Sequence, residues 1–415
     1  MSTVGGGVNI VRDGLVMYLD ASNTKSLADV PSQNLFTYSQ DISTVSWSKV
    51  RATITGTTSA TTAPDGTYTA QKLIEDTTTG VTHFTAKSST ISGTGTTYTV
   101  SIYAKAVERT WLAIQTASED PNYITAYFDL INGVLGSVGT GITAAISNAG
   151  NGWYRCSITR LKQGTIYSAF GGAFCISPTN LGFSYNGDGT SGIYLWGGQL
   201  EVGSVATTYI PTTTVPVSRI PTWTDISKGG NNGTLTSGLT YNYSNGGSLV
   251  FNPTTSGYTR VDSTILKDSG GTINVWCYPT GVPLPGLSAY IVSTIGTNSD
   301  RFYITHSTSG AFSLLRGNPA IGFGTGNLPL NAWYNLTMTW TNTSVSGYFN
   351  GIQLGVTTSY TASGTTTNFA IGSYGGSIGT QNFTGNIPQV SIYNRALSSS
   401  EVLQNYNATK SKFKL

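Results

Sequence analysis

The hydrophobic pattern of this chain repeats with a period of two, and that period limits what it can fold into. Short segments alternate apolar and polar side chains: Tyr98-Thr99-Val100-Ser101-Ile102-Tyr103-Ala104-Lys105, Trp111-Leu112-Ala113-Ile114-Gln115, Ile124-Thr125-Ala126-Tyr127-Phe128 and Trp153-Tyr154-Arg155-Cys156-Ser157-Ile158. The pattern returns in Ile193–Trp196, Ile273–Trp276 and Leu336-Thr337-Met338-Thr339-Trp340. Each such segment buries one face as a strand and could not do so as a helix. Asn132-Gly133, Asn151-Gly152 and Asn350-Gly351 stand between them, and Asn-Gly between alternating runs specifies a hairpin. Short strands with Gly-rich turns predict antiparallel β-sandwiches, so the fold class is all-β. A single short helix is expected within Ala396–Tyr406, where Ser398 offers a cap and Glu401 an acid in the first turn.

Only 9% of residues are charged, against about 25% in an average soluble domain. Hydroxyls and amides must then carry solubility, a surface common on extracellular and particle-bound proteins. The net charge of +3 is too small for a nucleic-acid partner. Lys410, Lys412 and Lys414 alternate in what reads as a solvated polar tail, 410–415. Cys156, Cys175 and Cys277 form no framework or metal spacing. A Cys156–Cys175 bridge is geometrically open, with buried free thiols the favoured reading. No signal-peptide pattern precedes Asp13, and no apolar run reaches the ~20 residues that span a membrane. A protein made in the host cytoplasm yet carrying an outside-facing surface fits a virion component, with no membrane insertion.

Asp13–Ser22 opens a domain whose next segment, Trp223–Leu235, follows only after an interval that itself reads as a complete β domain. The expected parts are residues 1–30 with 214–409 as one discontinuous domain and 31–213 as the insert. Pro31, Pro211, Pro216 and Pro221 mark the joints, where proline ends strands and stiffens crossings.

The discontinuous domain resembles the concanavalin A-like lectin/glucanase superfamily in its laminin-G-like form, common in phage proteins. The resemblance rests on Trp333–Trp340, Gly347-Tyr348-Phe349-Asn350-Gly351 and Phe383–Ser398, with its ending Ile392-Tyr393-Asn394-Arg395-Ala396-Leu397-Ser398. It implies two packed antiparallel sheets in a jelly roll. Many relatives carry an acidic pair where this chain has Pro388-Gln389, which weakens the case for charge-based chemistry or metal binding at that spot. The insert resembles carbohydrate-binding-module-like sandwiches of phage structural proteins through Asn34–Gln40 with Trp47, Ala63-Pro64-Asp65-Gly66, Gly152-Trp153-Tyr154-Arg155 and Ile193–Gly203 with Thr207–Pro211. In such domains the first and last segments pair, which would bring Gln33 and Pro211 together.

Glycanases of the jelly-roll class need paired carboxylates, commonly at alternate positions of one strand, and no such run occurs. Glu75-Asp76, Glu119-Asp120 and Asp262 with Asp268 fall in polar, turn-like text and read as solvated carboxylates. His83 and His306 read as surface strand residues, and no Gly-x-Ser-x-Gly elbow frames a nucleophile. No cofactor is expected; calcium, if bound, would take loop Asp20, Asp65 or Asp188. Trp153, Trp196, Trp276, Trp333 and Trp340 read as core, and Trp47 and Trp223 as either core or surface.

For sugar binding, Arg109, Trp111 and Gln115 share one strand face and Tyr123, Thr125 and Tyr127 another, each opposite an apolar set. These residues form the candidate glycan-binding face, and the open alternative is that the face packs on a subunit or on the other domain. The expected function is a non-enzymatic bacteriophage structural protein of the capsid, neck, tail or fibre, displaying lectin-like domains and adhering to host-surface glycans. Its expected partners are other virion proteins and copies of itself. The alternatives are a purely architectural virion protein and a polysaccharide depolymerase.

Overall fold

The computed structural model describes residues 9–415 except 56–60, 92–94, 117–122, 163–168, 237, 253–256, 263–264, 268, 295–301, 317–320, 355–357, 360–368 and 375–380. Strands make up 49% of the chain and helical residues 5%, and the pairings between the described strands are antiparallel, with one isolated parallel bridge between Tyr290 and Asn382. Two compact units result, one from Met1–Pro31 with Ile220–Leu415 and one from Ser32–Arg219. Glu119, Asp120 and Asp268 lie outside the described residues.

In the first unit, the strand Gly385–Tyr393 is buried along its whole length. Along one side it pairs with Ser248–Phe251 and then with Leu15–Asp20; along the other it pairs with Gly270–Pro279. Tyr334–Thr341 and Ser344–Phe349 extend that sheet outward. The opposing sheet runs from Thr222–Trp223 through Phe369–Ile371 and Ser288–Thr294 to Phe312–Arg316 and Ile321–Gly324. One core fills the space between: Met17, Leu19, Val275, Leu336, Met338 and Val390 from the first sheet meet Trp223, Ile291, Phe302, Ile304, Leu314 and Ile371 from the second. Asn350 and Gly351 both adopt positive φ, 49° and 79°, the conformation a two-residue hairpin turn requires.

In the second unit, a six-stranded sheet ordered Val134–Val138, Ile124–Asp129, Trp111–Thr116, Ala169–Ser177, Phe84–Thr90, Ser48–Val50 faces another ordered Thr143–Gly150, Trp153–Leu161, Thr97–Ala106, Gly192–Val202, Gln71–Glu75, Ala52–Ile54. Leu112, Ile114, Phe128, Phe174 and Ile176 of the former bury against Val100, Ile102, Ile158, Ile193 and Leu195 of the latter. Ser32–Asn34 pairs with Val217–Arg219, and Asn34 Nδ2 donates to the Ile210 carbonyl at 2.8 Å. The joint therefore falls after Arg219 rather than at 213/214, because Val217–Arg219 completes the ladder that closes this unit. Asn132-Gly133 sits in a four-residue connection, with only Gly133 at positive φ, whereas Asn151 and Gly152 both take positive φ.

The helix is Ser399–Thr409, with a capping box between Ser398 and Glu401. Residues 410–415 are not a solvated tail. Lys410–Phe413 forms a 3-10 turn, Phe413 is buried with its ring 4.4 Å from Trp276 and 4.6 Å from Trp333, and Lys412 Nζ donates to buried Asp20 at 2.8 Å. An aromatic anchor outweighs the alternating lysines. All three cysteines are free and buried, with Cys156 and Cys175 on opposing sheets. All eight tryptophans except Trp111 are buried, including Trp47 and Trp223.

Neither histidine is a surface residue. His306 follows Phe302 and Ile304 on the inward face of its strand and stacks on Phe312 with ring centroids 4.8 Å apart. Both its ring nitrogens are buried without a described hydrogen bond, and burial pulls its pKa down to about 4. The unfolded chain takes up this proton near pH 6.5, so between about 6.5 and 4 it binds protons that the folded state refuses. Stability is full above that window and falls as pH drops through it, by up to about 1.4 kcal/mol per pH unit from this group. Chemical denaturation at stepped pH is expected to show a shallower loss between pH 6.5 and 4 for His306→Leu than for the parent.

Candidate functional site

The outward face of the Trp111–Thr116 sheet carries a groove. Strand register sets its composition. Gln115 lies between Thr125 and Ala173, Ala173 lies next to Ala86, and Ala86 next to Ser48. One row further on, Tyr127, Ala113, Cys175 and Phe84 follow one another in the same way. Because strands alternate faces, the apolar residues between these positions go to the core and this set is left outside.

Small side chains floor the groove, and larger ones wall it. Gly171, Ala173 and Ala86 form the bottom; Gln115, Tyr123, Phe183, Phe84 and Val45 rise around it; the enclosed volume is about 730 Å³. Gly171 is obligatory: a Cβ there would lie 2.0 Å from the Lys87 carbonyl oxygen. Tyr123 and Val45 are strongly exposed, 65% and 103%. Gln115 Nε2 donates to Thr125 Oγ1 at 3.0 Å, which fixes the amide and leaves its second N–H for a ligand. Ser46, Ser48, Ser88 and Thr82 add hydroxyl-bearing residues to the lining.

The lining is electrically quiet. Lys87 is its one cation among the described lining residues, and its ammonium donates to Thr37 Oγ1 at 3.0 Å, to the Ser46 carbonyl at 3.0 Å and to the Ser46 hydroxyl. An ammonium has three donors, so these partners occupy all of them; burial also lowers its pKa. The described lining includes no Asp or Glu. Cys175, beneath the face, is held protonated by burial, its pKa pushed up to about 12.

The five residues expected to bind glycan divide. Gln115 and Tyr123 line the groove. Trp111 and Tyr127 lie on the same face, in an apolar patch with Ala113, Cys175 and Phe183; Tyr127 is buried and sits 5.9 Å from Phe183. Arg109 is elsewhere. It precedes the strand and forms a two-point ion pair with buried Glu75, Nε–Oε2 2.9 Å and Nη2–Oε1 2.5 Å. Sequence alternation could not reveal this, because the partner is on the opposing sheet. Phe84, Phe183 and Val45 escaped notice as well. Phe84 was legible in the alternation of Phe84-Thr85-Ala86, whereas Phe183 and Val45 stand in loops where no period applies.

The Glu75 carboxylate organises a buried polar knot. It also accepts from the Tyr185 hydroxyl at 2.5 Å and from the Asp188 amide at 2.9 Å. Tyr185 is flanked by Arg109, 5.1 Å from its ring centroid, and by the His83 ring at 4.9 Å. Burial first, then the carboxylate, raises the Tyr185 phenol far above its ordinary range. His83 is buried, its Nδ1 2.7 Å from the Arg51 carbonyl. The carboxylates named for calcium are occupied locally, and Asp20 is a buried strand residue rather than a loop one. Asp188 accepts from Thr190 and Ser191, Asp65 from Thr67, and Asp20 from Ser22 and Lys412. Among the described residues no three His, Cys, Asp or Glu side chains converge on one point. No described helix is long and apolar enough to cross a membrane.

Residues 253–403 match the laminin-G-type model of the concanavalin A-like lectin/glucanases superfamily. The matched residues lie wholly within the first unit. No curated protein matches the chain. Among solved structures, it is similar to domain 4 of the extracellular arabinanase AbnA from Geobacillus stearothermophilus, solved with arabinotriose, at 20% identity over 44% of this chain and 92% of that one, TM-score 0.38. It is also similar to the binding domain of Paraclostridial Mosquitocidal Protein 1, at 16% identity over 45% and 49%, TM-score 0.38. A third likeness is to botulinum neurotoxin type C, described as depending on two ganglioside molecules for cell entry, at 14% identity over 45% and 48%, TM-score 0.35. This chain covers about half the length of each of these two toxin structures.

Replacing buried Glu75 removes a charged acceptor from Arg109, Tyr185 and the Asp188 amide, but Arg109 is partly exposed and keeps Asp188 at 3.6 Å, so the cost is about 1–3 kcal/mol. Glu75→Gln is therefore expected to lower the denaturation midpoint of the second unit, while Asp262→Asn, at an exposed pair with Arg260, leaves it within about 0.5 kcal/mol. Denaturant unfolding followed by intrinsic fluorescence checks both.

Proposed function

We propose that this chain is a non-enzymatic structural component of a bacteriophage particle. It displays two lectin-like sandwiches and holds neutral host-surface glycan in the groove of its second unit. The observation that carries this reading is the lining of the groove. An exposed tyrosine, two phenylalanines and a positioned amide surround a floor of alanine and glycine. A pyranose presents an apolar C–H face and a rim of hydroxyls. Aromatic rings and a flat small-residue floor accept the first, and amides and serine hydroxyls accept the second.

The groove offers no unengaged cation, so it favours an uncharged polymer over an acidic one. Glycoside hydrolysis needs two carboxylates across the scissile bond, and the described lining supplies none, which supports binding without turnover. The particle assignment rests on the resemblance of both domains to those of phage structural proteins and on the low-charge, hydroxyl-rich surface. A single shallow site binds weakly. Copies on one particle add ~10²–10⁴ through avidity.

The test is binding of the purified chain to an array of bacterial surface polysaccharides. Neutral polysaccharides are expected to bind, Tyr123→Ala to weaken binding about tenfold, equivalent to about 1.4 kcal/mol, and Ala173→Phe, which fills the floor without touching the core, to abolish it. Absence of binding by the parent chain favours a purely architectural role. Binding that survives Ala173→Phe moves the site elsewhere, and release of reducing ends revives a depolymerase.

A further inference from the structure

The second unit leaves its two pairs of sheet edges in unequal condition. At one side the terminal strands are Ser48–Val50 and Ala52–Ile54, three residues each, with Lys49 in the first and Arg51 between them. Short edges bearing basic side chains resist pairing with another chain. At the other side the terminal strands are Val134–Val138 and Thr143–Gly150, five and eight residues. From Leu130 to Tyr154 the sequence has no Asp, Glu, Lys, Arg or Pro. Ile131, Val134, Leu135 and Val138 are exposed along this side. The described backbone–backbone hydrogen bonds of Thr143–Gly150 run only to Trp153–Leu161. In Val134–Val138, by contrast, the Ser137 amide is taken by Asn180 Oδ1 at 2.9 Å.

We propose that Thr143–Gly150 pairs antiparallel with the same strand of a second copy of this chain, joining two six-stranded sheets across a two-fold axis. An edge strand is its own complement when reversed: each free N–H meets a free carbonyl of the copy. The two-fold also sets residues near the axis opposite themselves, so any charge there would face its like. A chargeless strand suits a second copy, whereas a partner recognised by charge would find nothing to hold here. The neighbouring exposed Val134, Leu135 and Val138 then lie beside the junction and lose solvent on pairing. This inference stands independently of the glycan reading.

Sedimentation equilibrium of the full chain over a wide concentration range tests it. The parent is expected to rise from 43.6 kDa to twice that mass. Thr143→Lys with Ser147→Lys, both exposed, is expected to remain at the lower mass, with the parent's unfolding midpoint at dilutions where both are monomeric. Leu403→Lys, exposed on the C-terminal helix, is expected to dimerise as the parent does. Amide exchange at 143–150 that slows as concentration rises supports the pairing without any substitution. A parent that stays monomeric throughout, a doubly substituted chain that still dimerises, or exchange at 143–150 indifferent to concentration overturns it.

Discussion

The strand Gly385–Tyr393 holds the first unit together. It is buried at every residue, and three strands from distant parts of the sequence depend on its backbone: Leu15–Asp20, Ser248–Phe251 and Gly270–Pro279. Buried backbone groups must be paired, so this strand cannot be lost without orphaning all three. It also joins the start of the chain to its end. Tyr393 and Asn405 both bond to Val11, and Arg395 pairs with Asp13 and Glu401. The first unit therefore closes only when its last strand is present, while the second unit closes on its own ladder, Ser32–Asn34 with Val217–Arg219. Two separately closed ladders are what allow one sequence to sit inside a loop of the other.

Period-two alternation made the strands legible, because each sends one set of side chains into the core between its two sheets. It identified the inward sets Leu112/Ile114 and Leu336/Met338/Trp340 and, by subtraction, the outward set that contains Gln115 and Tyr123. It failed wherever a tertiary contact overrode local composition. Ser and Thr neighbours made His306 look exposed, although its place after Phe302 and Ile304 put it on the inward face. Alternating lysines made residues 410–415 look solvated, although Phe413 seats between two tryptophans. Arg109 looked like a sugar contact, whereas Glu75 from the other sheet claims it. Long-range pairings of this kind leave no trace in a local pattern.

The groove follows from the same alternation. A sheet that sends its large apolar side chains inward is left with what lies between them. Here that remainder is alanine and glycine at the centre, with aromatic residues at the margins. The floor is flat because of the small side chains, and Gly171 lets neighbouring strands approach closely. Lys87, the one charge among the described lining residues, is held by Thr37 and Ser46. What remains exposed is a neutral, partly aromatic trough, and the proposal of a neutral carbohydrate ligand rests on it.

The central claim, that the trough of the second unit is where ligand sits, is tested most directly by NMR of alanine-methyl-labelled protein titrated with a neutral host-surface oligosaccharide. The account predicts saturable shifts at Ala86 and Ala173, with Ala289 and Ala370, buried in the first unit, unmoved. Shifts confined to alanines of the first unit, with Ala86 and Ala173 silent, would contradict it.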